Sequence, residues 1–193
     1  MTTANTNIAI EICSSALSLI GADTILSFDD ESQEARVANA IYETYRNALL
    51  QEHRWRFAIK KTSLAQLSDA PLYGYDHAYQ LPSDFLLVVS PNDATFTDYE
   101  IFENTMHTDA DIAQISYLSN PGEARYPAYF KLVLQLRLAY AFATAITQDA
   151  ALAKVYEAQY LRELIRAKSI DSQQQPNGVF SDNNFVFNNV RVL

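Results

Sequence analysis

Cysteine and glycine are scarce in this 193-residue chain, and each shortage argues against particular kinds of site. The single cysteine, Cys13, permits no intrachain disulfide and does not support a cysteine-based metal centre. Only four glycines are present, whereas phosphate-cradling loops, nucleophile elbows and dinucleotide-binding turns depend on glycine. The composition therefore argues against these three sites.

Charged residues are also few, and those present are mostly acidic. They make up 19% of the chain, below the roughly 25% of an average soluble domain. The net charge is −9 and the isoelectric point is about 4.7. Because an acidic chain repels phosphate, binding to the DNA backbone is disfavoured. An acidic surface past which DNA slides without sticking is compatible with this balance.

Long apolar runs are missing as well. No stretch approaches the uninterrupted run of about 18 apolar residues that typifies a membrane span, and no basic-plus-apolar signal opens the chain. We therefore expect a soluble protein, assembled inside a cell, with no membrane partner. Hydrophobic residues nevertheless make up 49% of the sequence, enough for the core of one domain, with or without an appendage.

Apolar residues recur at helical spacing in four segments, which predicts four helices. Gly21 follows the first, as is typical of helix C-termini. An acidic run from Asp29 to Glu31 precedes the second and complements the positive end of its dipole. The third is apolar nearly all round, so we expect neighbouring elements or other subunits to enclose it. The predicted helices span about residues 6–20, 31–54, 127–147 and 149–168.

The region from about 58 to 118 has a different character, with prolines and a glycine between short β-prone runs. One stretch, residues 98–106, has the pattern strand, turn, strand, with Glu103 and Asn104 at the turn. We expect one small antiparallel sheet inserted between the helices. The predicted fold class is therefore mainly α: a helical bundle of about four helices with a small antiparallel β insertion and an extended C-terminal arm.

Residues 169–193 lack helical periodicity and are rich in Gln, Asn and Ser, yet they include three phenylalanines. A solvated linker does not need such side chains, and the alternation in FVFNNVRVL is typical of a segment that adds to another protein's surface. We predict an arm that docks outside its own domain; the alternative is a terminal strand that folds back. The predicted contact residues are Val179, Phe180, Phe185, Val186, Phe187, Val190, Val192 and Leu193.

Patterns that carry catalysis or bind metal are not evident. His53, His77 and His107 lie in separate contexts without HExxH spacing, and His53 is best explained as a partner of a helix C-terminus. Cys13 has no base beside it in the sequence. A pair of carboxylates suited to glycoside hydrolysis stays possible, because any fold can juxtapose two. We expect no enzyme activity, no metal and no cofactor.

One basic patch interleaved with aromatic residues admits two interpretations. It can contact nucleic acid by stacking and charge, or it can bury one aromatic ring and leave its charges in solvent. The patch consists of Arg54, Trp55, Arg56, Phe57, Lys60 and Lys61. The second interpretation is the commoner outcome for such a stretch.

The order of several short motifs carries a family resemblance. A Leu-Ile-Gly-Ala turn at 19–22 is followed by Tyr42, Arg46 and Leu50 at spacings of four. Next come a Trp-x-Phe-Ala element and a Tyr-x-Leu-Pro-x-Asp element, which are the most specific pieces. Their defining residues are Trp55, Phe57, Tyr79, Leu81, Pro82 and Asp84. Over about residues 8–168 the chain resembles the head-to-tail adaptors, or tail tubular protein A family, of short-tailed bacteriophages.

The resemblance implies an adaptor domain over residues 1–168 and an arm over 169–193. It also implies a virion structural protein at the head–tail junction, assembled in the host bacterial cytoplasm. Such proteins form a ring, a dodecamer in the virion, between the portal protein and the tail tube or nozzle. Double-stranded DNA passes through the channel without specific binding, and the ring helps to retain the genome until ejection. C-terminal segments of such adaptors commonly embrace the portal.

Two other functions remain as alternatives. Another virion structural part, such as a head-completion or tail-assembly protein, is the second possibility. A cell-wall hydrolase carried in the tail is the third possibility.

Overall fold

The computed structural model describes residues 3–91 and 98–174. Every predicted contact residue of the C-terminal arm, from Val179 to Leu193, lies outside the described residues. The first residues assigned to that arm are instead helical, because the last helix continues to Ser172.

The described residues form four α-helices, and side-chain caps set the beginning of two of them. The N-cap of the second is Ser32, whose hydroxyl accepts a hydrogen bond from the amide of Ala35 at 3.2 Å. Asp149 caps the fourth by accepting from two amides at 2.8 and 3.0 Å. Asp30 accepts from two amides of the preceding connector instead of opening a helix. The helices are α1 (Thr3–Leu19), α2 (Gln33–Gln51), α3 (Ala128–Phe142) and α4 (Ala150–Ser172).

Three shorter helical turns connect these elements. Two are 3-10 turns, at Arg56–Ala58 and Glu123–Arg125, and each joins a helix to a strand. The third is a π-helical turn at Ala143–Thr147, which follows α3 directly. Gln148 then adopts a left-handed conformation with φ of 53°, and this ends the helical path before α4 begins.

The expectation of a mainly α fold is wrong: the protein has a mixed α/β fold. About 50% of the described structure is helical and 19% is strand, in two antiparallel sheets of three and four strands. Sheet A has the order β1–β7–β4, and sheet B has the order β2–β3–β6–β5. The strands are β1 (Ile59–Ser63), β2 (Ala65–Gln66), β3 (His77–Gln80), β4 (Phe85–Pro91), β5 (Glu100–Phe102), β6 (Thr105–Thr108) and β7 (Gln114–Ser119).

The two sheets and the helices form three layers, with sheet A in the middle. Leu118 of β7 belongs to the hydrophobic core made by the helices. Ile115 and Tyr117 of the same strand pack into a second core with Tyr79 and Met106 of sheet B. Because β7 is covered on both faces, five of its six residues are buried. A single sheet inserted between helices does not describe this arrangement.

The predicted buried helix is the centre of the helical layer. Residues such as Phe130, Leu134 and Leu138 of α3 are fully inaccessible to solvent. The segment Ala128–Thr147 is long and apolar enough to cross a membrane by composition, but half of its most apolar window is buried inside the fold. Its contacts with α1, α2 and α4 are those of a core helix.

Candidate functional site

The Trp-x-Phe-Ala element lies where the helical layer joins sheet A. Trp55 is completely buried, and its indole Nε1 donates a hydrogen bond to the carbonyl oxygen of Leu49 at 2.8 Å. The ring of Phe130 meets Trp55 edge-on at a centroid distance of 5.1 Å and meets Phe57 at 4.9 Å. These aromatic contacts fix the path of the chain from α2 into β1.

A fully buried carboxylate, that of Asp171, holds the end of α4 against the same junction. Its two oxygens accept from the backbone amide of Arg56 at 3.1 and 3.0 Å. The hydroxyl of Tyr129 donates to it at 2.8 Å, and Nε2 of His53 lies 3.3 Å away. No local sequence pattern indicated this site. His53 therefore has a side-chain partner in α4, which the helix-terminus explanation did not anticipate.

The spaced tyrosine and arginine of α2 face a second buried carboxylate. Glu123, which is 6% exposed, accepts from the Tyr42 hydroxyl at 3.2 Å and from Nη1 of Arg46 at 2.9 Å. Burial, assisted by the charge of Glu123, raises the pKa of Tyr42, so its phenol stays protonated and can donate. This cluster ties α2 to the turn that leads from β7 into α3.

The Tyr-x-Leu-Pro-x-Asp element connects sheet B to sheet A. Tyr79 and Leu81 are buried in the core between the sheets, and the Tyr79 hydroxyl donates to the Ala110 carbonyl oxygen at 2.6 Å. Pro82 lies in the connection between β3 and β4, as its fixed φ and missing donor predict. Asp84 completes the element and immediately precedes β4.

The Asp84 carboxylate links the start of β4 to the other two strands of sheet A. It accepts hydrogen bonds from the ammonium of Lys60 on β1 and, at 3.0 Å, from the hydroxyl of Tyr117 on β7. Burial acts to raise its pKa, but the hydrogen bonds from Lys60 and Tyr117 outweigh burial, so the pKa of Asp84 is lowered. The carboxylate is therefore held in its charged form.

This packing separates the aromatic rings of the basic patch from its charged side chains. Trp55 is inaccessible and Phe57 is half-buried, so the rings are packed inside and not displayed for stacking on bases. Lys60 is paired with Asp84, while Arg54 and Lys61 are exposed. The arrangement is that of one anchored aromatic pair with solvated charges around it.

The remaining candidates for chemistry are His77 and His107, which lie in neighbouring rungs of the paired strands β3 and β6, and Cys13 in α1. His77 lies near Asp111, at 3.5 Å, and His107 contacts the hydroxyl of Thr105 at 3.0 Å. Cys13 is fully buried, and burial raises the pKa of its thiol to about 12, so it is protonated at neutral pH. Within residues 3–91 and 98–174, no three His, Cys, Asp or Glu side chains are grouped to hold a metal ion.

Within the described residues, two clefts that sequence reasoning did not single out are lined by exposed apolar side chains. Leu72 and Tyr73, in the loop between β2 and β3, are 97% and 85% exposed. Together with Phe102 they line a cleft of about 340 Å³ on sheet B. The other place is a groove of about 560 Å³ between α1, α3 and α4, lined in part by Leu19 and Leu132. Apolar side chains grouped in a cleft offer a surface for contact with another molecule.

The described motif residues thus form rigid junctions between layers, and the surface offers apolar contact areas. Comparison with known proteins adds no assignment: no protein-family model matches the chain, and no curated protein matches it.

Proposed function

We propose that this chain is a virion structural protein, a head-to-tail adaptor that forms a ring beneath the portal of a short-tailed bacteriophage. It joins the portal protein to the tail tube or nozzle, forms part of the DNA channel and helps to retain the genome. The protein acts by assembly and not by catalysis. The protein is located in the virion, at the head–tail junction, and it is assembled there in the host cytoplasm.

The observation that carries the proposal is the place of the family-like motifs in the fold. Trp55 and Phe57 lock the helices to sheet A, and Tyr79 and Leu81 lie in the core between the two sheets. Residues in such places hold the layers in a fixed position relative to one another. A ring subunit needs this fixed arrangement because each layer meets a different neighbour. The exposed apolar clefts supply area for those neighbours.

The charge balance supports the same proposal. A net charge of −9 repels the DNA backbone, and a channel through which a genome must pass benefits from a surface that does not hold it. The two aromatic rings of the basic patch are packed in the fold, which leaves little surface for base stacking.

Mass determination by light scattering tests the proposal, on the full chain alone and then mixed with the portal protein of the same phage. A ring is expected in at least one condition, and its appearance only with the portal would indicate templated assembly. A chain that stays monomeric in both conditions would contradict the adaptor and favour a head-completion or tail-assembly role. A zymogram on the purified chain would then test the wall hydrolase.

The predicted arm needs a separate test, because its residues lie outside the described structure. We propose that Phe180, Phe185 and Phe187 anchor it on the portal. Deletion of residues 174–193 is expected to abolish attachment to the portal while the remaining domain stays folded. Intact attachment after the deletion would contradict this role without affecting the ring.

A further inference from the structure

The acidic charge of the protein is concentrated in the region of the sheets. Residues 62–124 contain ten acidic residues and no lysine or arginine, a formal charge of −10, whereas the whole chain carries −9. The rest of the chain is therefore nearly neutral. Seven of the nine acidic residues that the structure describes in this region are exposed, among them Asp69, Glu100 and Glu103.

Exposed apolar side chains lie within this negative field. Leu72, Tyr73 and Phe102 line the cleft on the outer side of sheet B, together with Glu100 and His107. We call this surface, formed by the loop 67–76 and the strands β5 and β6, the acidic face. Protein–protein interfaces commonly have apolar anchor residues at the centre and a polar rim around them, and this surface has both.

The groove in the helical layer has complementary properties. Leu19 and Leu132 are 43% and 42% exposed in it, and Arg162 forms part of its wall. Arg166 lies one helical turn beyond Arg162, on the same face of α4, and is 72% exposed. On the face of α4 that borders the groove, Arg162 and Arg166 stand against one acidic residue, Glu163, which lies 3.8 Å from Arg166, so this stretch of the helix carries a net charge of +1.

We propose that the acidic face of one copy binds the groove of the next copy in the ring. Leu72 and Tyr73 enter the groove and cover Leu19 and Leu132, while the acidic rim meets the arginines. The groove is open in the single chain, so the face of the same chain does not fill it. This inference rests on the proposed function, because it names the contact between ring subunits.

The geometry of such a contact produces a ring and not a dimer. The two surfaces are different, and they lie on layers separated by sheet A. Each copy therefore uses its face on one neighbour and its groove on the other, a heterologous contact that continues until the rotation closes. Opposite charges at the rim accelerate and orient the encounter, so assembly should weaken as salt is raised.

Disulfide trapping tests the contact in the full-length chain. A chain carrying Tyr73→Cys and Leu132→Cys is oxidised under the conditions that give rings, with the portal present if it is required. Native Cys13 is fully buried and does not compete. The matched control replaces Leu26, which is 87% exposed in the α1–α2 connector, together with Leu132. Circular dichroism checks that each variant is folded.

The expected result is a ladder of covalent multimers on a denaturing gel for the Tyr73–Leu132 pair and none for the Leu26–Leu132 pair. Charge reversal of Arg162 and Arg166 to Glu should remove the ladder, and reversal of Glu100 and Glu103 to Lys in the same chain should restore it. Rings detected by light scattering without a ladder, or equal ladders for both pairs, would overturn this contact and leave the adaptor in place. A chain that forms neither ring nor ladder would overturn both.

Discussion

Replacing Asp171 tests whether one buried carboxylate holds the helices to the sheets. In Asp171→Ala, the Arg56 amide and the Tyr129 hydroxyl both lose their acceptor. A buried donor left without a partner costs about 1–3 kcal/mol; because both hydrogen bonds are partly buried, we expect a loss of about 3 kcal/mol in the free energy of unfolding. With a urea m-value of about 2 kcal/mol/M, the midpoint should fall by about 1.5 M.

The amide variant separates hydrogen bonding from charge. In Asp171→Asn, a carbonyl oxygen in the place of Oδ1 keeps one bond from Arg56 and the bond from Tyr129. The amide group in the place of Oδ2 faces Nε2 of His53 and no longer accepts from Arg56. We therefore expect Asn to retain most of the stability, with a loss of about 1 kcal/mol. Urea unfolding followed by the fluorescence of Trp55, the single tryptophan, measures both variants.

The matched control lies at the other end of the same helix. Asp149 caps α4 from an exposed position, and its replacement by Ala should cost about 1 kcal/mol. If Asp171→Ala costs no more than Asp149→Ala, or if Asn is as damaging as Ala, the argument from unsatisfied buried donors is refuted.

Three further outcomes follow from other buried groups. Asp84→Asn should lower the free energy of unfolding at neutral pH. Because the pKa of Asp84 in the folded protein lies below its usual 3.8, the stability that its charge contributes is complete above about pH 4 and is lost as the pH falls further. Urea unfolding should therefore show the difference in stability between the variant and the unaltered chain shrinking in acid. Cys13 should not react with a thiol reagent until the chain unfolds, because the protonated thiol is buried; rapid labelling of the folded chain would contradict this. Arg46→Met should cost about 3 kcal/mol by leaving Glu123 buried without its cation, whereas Arg166→Met, at an exposed pair, should cost less than about 1 kcal/mol in the same assay.

The sequence predicts the ends of helices and turns where a local signal marks them. Gly21 follows the end of α1 with φ of 73°, and Asp149 caps α4 as its side chain predicts. The turn at Glu103 and Asn104 separates β5 from β6, and Glu103 takes the positive φ that such a turn requires. Each of these features depends on interactions within a few residues, which is the range that a sequence pattern encodes.

The fold class was wrong because two strands lack such a signal. The β1 sequence, Ile59–Ser63, has two lysines and little alternation, and β2 has two residues. Both become strands by pairing: β1 with β7, more than fifty residues away, and β2 with β3. Tertiary pairing therefore decided one strand in each sheet, β1 in sheet A and β2 in sheet B, where local propensity is weak.

By itself the sequence determined a chain with an apolar core, strong helices and an excess of acid, and it supplied the motifs that resemble phage adaptors. Only the tertiary structure decided that Glu123 and Asp171 are buried acceptors, because their partners Arg46 and Arg56 are 77 and 115 positions away. It likewise decided that Leu72 and Tyr73 stay exposed, since hydrophobicity does not reveal which apolar side chains a core has room to take. Burial is a property of the packed chain, and no local pattern encodes contacts over such separations.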